Sequence, residues 1–169
     1  MDVLVVDGYN VIGDWEELIS LRKKDIGLAR DKLIEVLTEY QTFTQNRVII
    51  VFDALYVKGK ESKQQRVNVE VIYTKEEETA DECIERLVSS LKNVKNQVYV
   101  ATSDYMEQRT IFSRGALRIS ARELRIEMDN MAKAVEEELQ KQHLHKPRAK
   151  IPINENILEQ FEKWRRGDS

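Results

Sequence analysis

Apolar residues arrive along this chain in two rhythms. Residues 3–6 (VLVV) and 48–52 (VIIVF) are short unbroken runs, rich in β-branched residues, of the kind that form strands buried on both faces. Between them Ile26, Ala29, Leu33, Val36, Leu37, Tyr40 and Phe43 recur at helical spacing and predict one amphipathic helix. A polar, lysine-rich connection is expected over residues 58–66. Val67, Val69, Val71 and Tyr73 then alternate with polar residues until Ile72, which predicts a strand with one wetter face, nearer a sheet edge. Ala80, Cys83, Ile84, Leu87, Val88 and Leu91 make the buried face of a second helix, opened by a Thr79–Glu82 capping box. Val98, Val100 and Ala101 predict a further strand. Residues 115–128 (GALRISARELRIEM) predict a short last strand and a helix entered through a Ser120–Glu123 box, with Leu124, Met128, Met131, Val135 and Leu139 facing inward. Strands alternating with helices in this way predict an α/β fold with a central, mostly parallel sheet flanked by helices.

At 169 residues with 41% hydrophobic content, the chain is long enough for one domain with a sizeable core. Residues 1–145 read as that domain. Residues 146–169 hold both prolines and read as a basic C-terminal strap with a short helix. A formal net charge of −3 excludes a uniformly basic nucleic-acid binder but leaves room for local basic patches. One cysteine, Cys83, and two histidines provide neither an internal disulfide nor a structural zinc site. With no leader or long apolar run, a reducing cytoplasmic setting and no membrane partner are expected.

Chemistry enters with the acids. Asp7, Asp53 and Asp104 each follow an apolar run, so parallel strands would bring them to one carboxyl edge of the sheet, where α/β folds bind ligands. Asp81, in the first turn of the following helix, approaches from the same side. Carboxylates held together repel, and a divalent cation is the simplest compensation. Oxygen-only ligands suit Mg²⁺ or Mn²⁺, and such a site performs phosphodiester hydrolysis. Asn10 is placed to orient water or phosphate, and Ser103 to bond a phosphate oxygen. Gly8 and Gly115 would let backbone approach the ligand. Each residue alone has a plainer reading: Asp81 on a helix dipole, Asp104 as a cap with Glu107, Asp53 in a turn, Asn10 as a cap. Their conjunction at one edge is what points to a site.

Three basic surfaces are candidates for RNA or ribosome contact. Lys58, Lys60, Lys63 and Arg66 follow Asp53 and would leave from the active edge. Arg114 and Arg118 belong to a second arginine-rich stretch, and Lys146, Arg148 and Lys150 to the C-terminal strap. The plainer readings are a solvated loop, a charged helix face and a packing strap.

The segments VDGYNVI, VFDA, ETADECI, ATSD and RGALRISAREL, in that order, resemble the NYN-type, YacP-like branch of the PIN-domain ribonuclease superfamily over residues 1–145. The resemblance implies a three-layer PIN-like (NYN) α/β fold, a Mg²⁺ or Mn²⁺ site and no nucleotide cofactor. It implies endonucleolytic cleavage of RNA, with mRNA on translating ribosomes as the expected substrate. Position by position it matches Asp7, Asp81 and Asp104 to the family's acids, Asn10 to the polar residue of the opening motif, and Asp53 to the acid after the second strand, as a ligand or a group behind the ligands. Metal-activated water would leave a 5′-phosphate and a 3′-hydroxyl. The alternative attack by the RNA's own 2′-hydroxyl wants a general base such as histidine, and neither His143 nor His145 lies in a motif. A haloacid-dehalogenase phosphatase would need a second acid where Tyr9 stands, and a response-regulator receiver would need adjacent acids near the first strand. The rival of another class is a catalytically silent RNA- or ribosome-binding adaptor with the same fold.

Overall fold

A computed structural model describes residues 2–54, 63–66, 68–92, 95–103, 111, 114–145 and 165. Its elements run β1 (Val3–Asp7), α1 (Gly8–Ile12), α2 (Glu16–Lys24), α3 (Ile26–Thr44), β2 (Arg47–Phe52), β3 (Lys63–Arg66), β4 (Val69–Tyr73), α4 (Ala80–Leu91), β5 (Val98–Ala101), β6 (Leu117–Ile119) and α5 (Ala121–His145). The strands form one six-stranded sheet in the order β3-β4-β2-β1-β5-β6. Every pairing is parallel except β3 with β4.

The two unbroken apolar runs lie at the centre because only a central strand is covered on both faces. Val3 and Val5 of β1 share a face with Ile49 and Val51 of β2 and with Val98 and Val100 of β5. They pack there against Ala80, Cys83, Ile84 and Val88 of α4. On the other face α1 and α3 pack against β2, and the buried side of α3 is formed by Ala29, Leu33, Ile34, Leu37 and Tyr40. Helices on both faces of a parallel sheet give the expected α/β architecture. The N-cap bond of each expected box forms: Thr79 accepts from the Glu82 N–H at 3.2 Å, and Ser120 accepts from the Glu123 N–H at 3.0 Å while its hydroxyl donates to Glu123 Oε1.

Several expectations need correction. Two helices precede the one predicted at residue 26. α1 is too short to show a period, and α2 buries only Leu18, so neither leaves an apolar stripe. The signal for α2 is electrostatic, with Glu16 and Glu17 in its first turn and Arg22, Lys23 and Lys24 in its last, matching the helix dipole. The connection at 58–66 is not wholly irregular, since residues 63–66 pair with β4 as the antiparallel edge of the sheet. β4 therefore lies one place in from the edge and begins at Val69, after Asn68 turns the chain with φ 74°. On α5 Leu124 is buried, but Val135 and Leu139 are 40% and 60% exposed.

Residues Met1–Asp129 make one compact unit and Asn130–Ser169 a second. No helix of the described residues is long and apolar enough to cross a membrane.

Candidate active site

β1 ends at Asp7 and the chain turns directly into α1. The turn is tight because Gly8 lies flat on Phe52: a Cβ there would sit 2.3 Å from the ring. Asp7 takes the N-cap position of α1 with extended backbone, yet its side chain makes no capping bond. The carboxylate instead accepts from Thr102 Oγ1 at 3.5 Å, and Asp7 is only 8% exposed. Thr102 is fully buried and fixed on both sides, its N–H donating to the Ile119 carbonyl and its own carbonyl accepting from Arg118 Nε, each at 3.0 Å. A carboxylate drawn this far from water costs stability unless partners or a cation compensate it.

Asp53 follows β2, next to β1 in the sheet. Its Oδ2 accepts from the N–H of Ala80, the first residue of α4, at 3.2 Å. Nearby, Thr74 Oγ1 accepts from the Ala54 N–H at 2.8 Å, tying the ends of β2 and β4 together. Asp53 thus fastens the end of β2 to the start of α4. Asp81, one residue further, stands half-buried in that helix's first turn. The start of α4 is braced again by Arg86, paired with Glu78 at 3.0 Å. Lys75, Glu76, Glu77, Glu78, Glu82 and Arg86 line a shallow cleft beside it.

Asn10 is half-buried on α1, and its Oδ1 accepts from the Ser103 N–H at 2.6 Å. That bond holds the exit of β5 against α1 and fixes the backbone of Ser103, which is itself half-buried. Asp104 is the next residue in sequence and lies outside the described residues. Asp7, Asp53 and Asp81 therefore come to one edge of the sheet, with Asn10 and Ser103 beside them.

Among the described residues no three His, Cys, Asp or Glu groups form a set that could hold a metal ion. The chemistry of the donors nonetheless fits a hard cation: the side chains brought to this edge are carboxylates, with no thiolate or imidazole among those three acids. Gly8 and Gly115, expected to admit a ligand, each lie against a neighbouring side chain. The place of a Gly8 Cβ is taken by Phe52. Gly115 has φ +88° and lies against the Lys92 side chain.

The basic candidates are dispersed. Lys63 and Arg66 lie on β3. Arg114 is exposed and donates to Ser89 Oγ at 3.3 Å, whereas half-buried Arg118 spends its Nε on Thr102. Lys58, Lys60, Lys146, Arg148 and Lys150 lie outside the described residues. Trp15, a neighbour of the opening motif, is a core residue: it is 3% exposed, and its Nε1 donates to the Ala121 carbonyl at 2.8 Å.

An aromatic row that no periodic pattern in the sequence marks lies at the carboxyl end of β2 and β4. Tyr9 on α1 lies against Phe52 with ring centroids 5.1 Å apart, and Phe52 stacks on Tyr73 at 5.5 Å. Arg30 of α3 donates to the Tyr9 hydroxyl at 3.1 Å. Burial pushes the Tyr9 phenol above its ordinary pKa, Arg30 pulls it back, and Tyr73 and Asp53 add to the rise. The available signal was positional, since Tyr9 is two residues beyond Asp7 and Phe52 immediately precedes Asp53. Thr102 was missed as well, and only the pairing of β1 with β5 brings it to Asp7.

A parallel sheet in this order, with helices on both faces and acids at its carboxyl edge, defines a PIN-like α/β domain. Comparison with known proteins agrees. The family model for the YacP-like NYN domain matches residues 4–166. Uncharacterized protein YacP of Bacillus subtilis (strain 168) is 54% identical over 168 residues, covering 99% of both chains. The crystal structure of Rae1 (YacP) from Bacillus subtilis superposes with a TM-score of 0.74 at 54% identity. That of its W164L mutant gives 0.75 at 48%. Each alignment covers 99% of this chain and 97% of the other. The chain belongs to the YacP-like NYN family, within the PIN-like nuclease superfamily.

Proposed function

We propose that this protein is a metal-dependent endoribonuclease that cleaves RNA, with mRNA on translating ribosomes as substrate. The observation that carries the reading is Asp7: a buried carboxylate at a helix N-cap position whose side chain makes no cap bond to that helix and lies 3.5 Å from the Thr102 hydroxyl. A carboxylate there purely for local structure would cap α1.

Asp7, Asp81 and Asp104, with Asp53 beside or behind them, would hold Mg²⁺ or Mn²⁺. Such an ion, when bound, supplies an acidified water as nucleophile and neutralises charge on the phosphodiester. The chain's own residues do the positioning. The Thr102 hydroxyl, 3.5 Å from Asp7 Oδ2, would help to orient that carboxylate. Asp53 anchors the first turn of α4 and with it Asp81. Asn10, through the Ser103 amide, sets the course of the segment that leads to Asp104. Ser103 would bond a phosphate oxygen. The N-terminus of α4, a helix of 12 residues, adds partial positive charge that favours a phosphate. The basic residues Lys58, Lys60, Lys63, Arg66, Lys146, Arg148 and Lys150 would carry RNA and ribosome contact, in the cytoplasm.

The test is incubation with translated and with free mRNA, with and without Mg²⁺ or Mn²⁺, followed by mapping of the new ends. Ends bearing 5′-phosphate and 3′-hydroxyl that appear only with metal, and that are lost in Asp7→Asn, are expected. RNA binding with no cleavage under any metal condition would overturn the enzyme reading and leave the silent adaptor.

A further inference from the structure

The Tyr9–Phe52–Tyr73 row with Arg30 is not used by the carboxylate chemistry, and its position calls for a role. Phe52 is fully buried, but Tyr9, Tyr73 and Arg30 are all half-buried, so the outer members of the row and the guanidinium reach solvent. Tyr73 is the register partner of Phe52, which places both rings at the carboxyl end of their strands. Tyr9 is two residues from Asp7 and Phe52 is one from Asp53. Two phenol rings and one cation therefore lie at the same carboxyl edge of the sheet as the acids, on the side covered by α3, whereas Asp7, in register with Val51, and Asp53, bonded to Ala80, lie on the side of α4.

An exposed aromatic face stacks any unpaired base, and an arginine beside it meets the attached phosphate. Resting on the nuclease reading above, the geometry points to Tyr9, Tyr73 and Arg30 as the subsite that holds the nucleotide next to the cleaved phosphodiester. The Tyr rings stack the base and Arg30 takes the phosphate. This subsite requires a base free of its partner, so it selects single-stranded over duplex RNA. It reads no hydrogen-bonding edge, so it imposes little sequence preference of its own.

A merely structural role for the row would tie α1 to α3 through the Tyr9–Arg30 bond and nothing more. The two roles separate when binding is measured without cleavage. Affinity for a short single-stranded RNA of mixed sequence, and for a duplex of the same composition, would be measured in chelator for the wild type, Tyr9→Leu, Tyr73→Leu, Tyr9→Phe, Arg30→Gln and Asp7→Asn. Leucine fills the space against Phe52 without a π-face, and thermal melting checks that each variant folds. Either leucine variant should bind single strands about 5- to 100-fold more weakly, whereas Tyr9→Phe should recover affinity to within about threefold. Arg30→Gln should lower the salt dependence of binding by about one counterion. With metal present, the loss in the leucine variants should appear in KM rather than kcat.

Folded leucine variants that bind and cleave single-stranded RNA like the wild type would overturn the subsite and leave the nuclease reading standing. Equal binding of single strand and duplex by the wild type would overturn it too. An Asp7→Asn variant that binds RNA and cleaves like the wild type would instead strike the catalytic assignment. A wild type that neither binds nor cleaves would overturn both.

Discussion

The carboxylate of Asp53 accepts a hydrogen bond from the backbone N–H of Ala80 at 3.2 Å, so the residue that ends one strand also anchors the helix that brings Asp81 to the site. Two substitutions separate anchoring from metal binding. Asn retains an acceptor for the Ala80 amide, so Asp53→Asn should change stability by only a few tenths of a kcal/mol, whereas Asp53→Ala should cost about 1 kcal/mol. If Asp53 only anchors α4, Asn keeps cleavage and Ala lowers it. If Asp53 is a ligand, both lower it. Melting curves beside cleavage rates decide between them.

Asp7→Asn should lower cleavage by about 100-fold or more, since it removes a member of the carboxylate set rather than a supporting partner. It should not destabilise the metal-free protein, because it relieves repulsion and no cap is lost. The rise in Tm produced by saturating Mg²⁺ or Mn²⁺ should shrink, as linkage follows affinity for the folded state. Melting with chelator and with metal, at matched ionic strength, measures both effects. Wild-type values for both the metal shift and the cleavage rate would refute the assignment.

Gly8→Ala should destabilise by about 1–3 kcal/mol. The new Cβ would meet Phe52 at 2.3 and 2.5 Å and the Val51 carbonyl at 3.1 Å, and Phe52 is wedged between Tyr9 and Tyr73. The turn carrying Asp7 must then shift, so cleavage should fall along with the denaturation midpoint.

Alkaline pH should weaken the fold through Tyr40, which is 7% exposed. Burial raises its phenol above the ordinary value of 10.0. Glu127, Asp2 and Tyr99 raise it further, and Asn46 opposes them. A raised folded pKa means the native state keeps a proton that the unfolded chain gives up. The stabilisation is therefore complete below pH 10 and is lost as pH rises through the folded value. Tyr40→Phe should flatten this alkaline fall in stability while leaving the neutral range little changed, as read from denaturant midpoints across pH.

Much of this was legible in the sequence where one physical signal dominates. β1 and β2 are unbroken apolar runs because both of their faces are covered. α4 shows its buried side at helical spacing, and Thr79 and Ser120 announce the helices they cap. β3 was not legible, because KQQR contains no apolar residue and owes its strand state to the backbone ladder with β4. The acids could be read from their places after strands. What supports them could not: Thr102 reaches Asp7 across 95 positions and Arg30 reaches Tyr9 across 21, and no local pattern encodes either contact.

The strand at the heart of the sheet is synthesised before either of the strands that flank it. β1 needs β2, which begins at residue 47, and β5, which begins at residue 98, before both of its edges are paired. A growing chain therefore carries VLVVD as an unsatisfied apolar template through much of its synthesis, and such long-range pairing folds slowly. A nascent fragment that stops short of β5 already contains Asp7, Asp53 and Asp81. It lacks the Thr102 hydroxyl that faces Asp7 and the Ser103 amide that donates to Asn10. The order of synthesis thus leaves Asp7 and Asn10 without these two partners until residues 102 and 103 have been added to the chain.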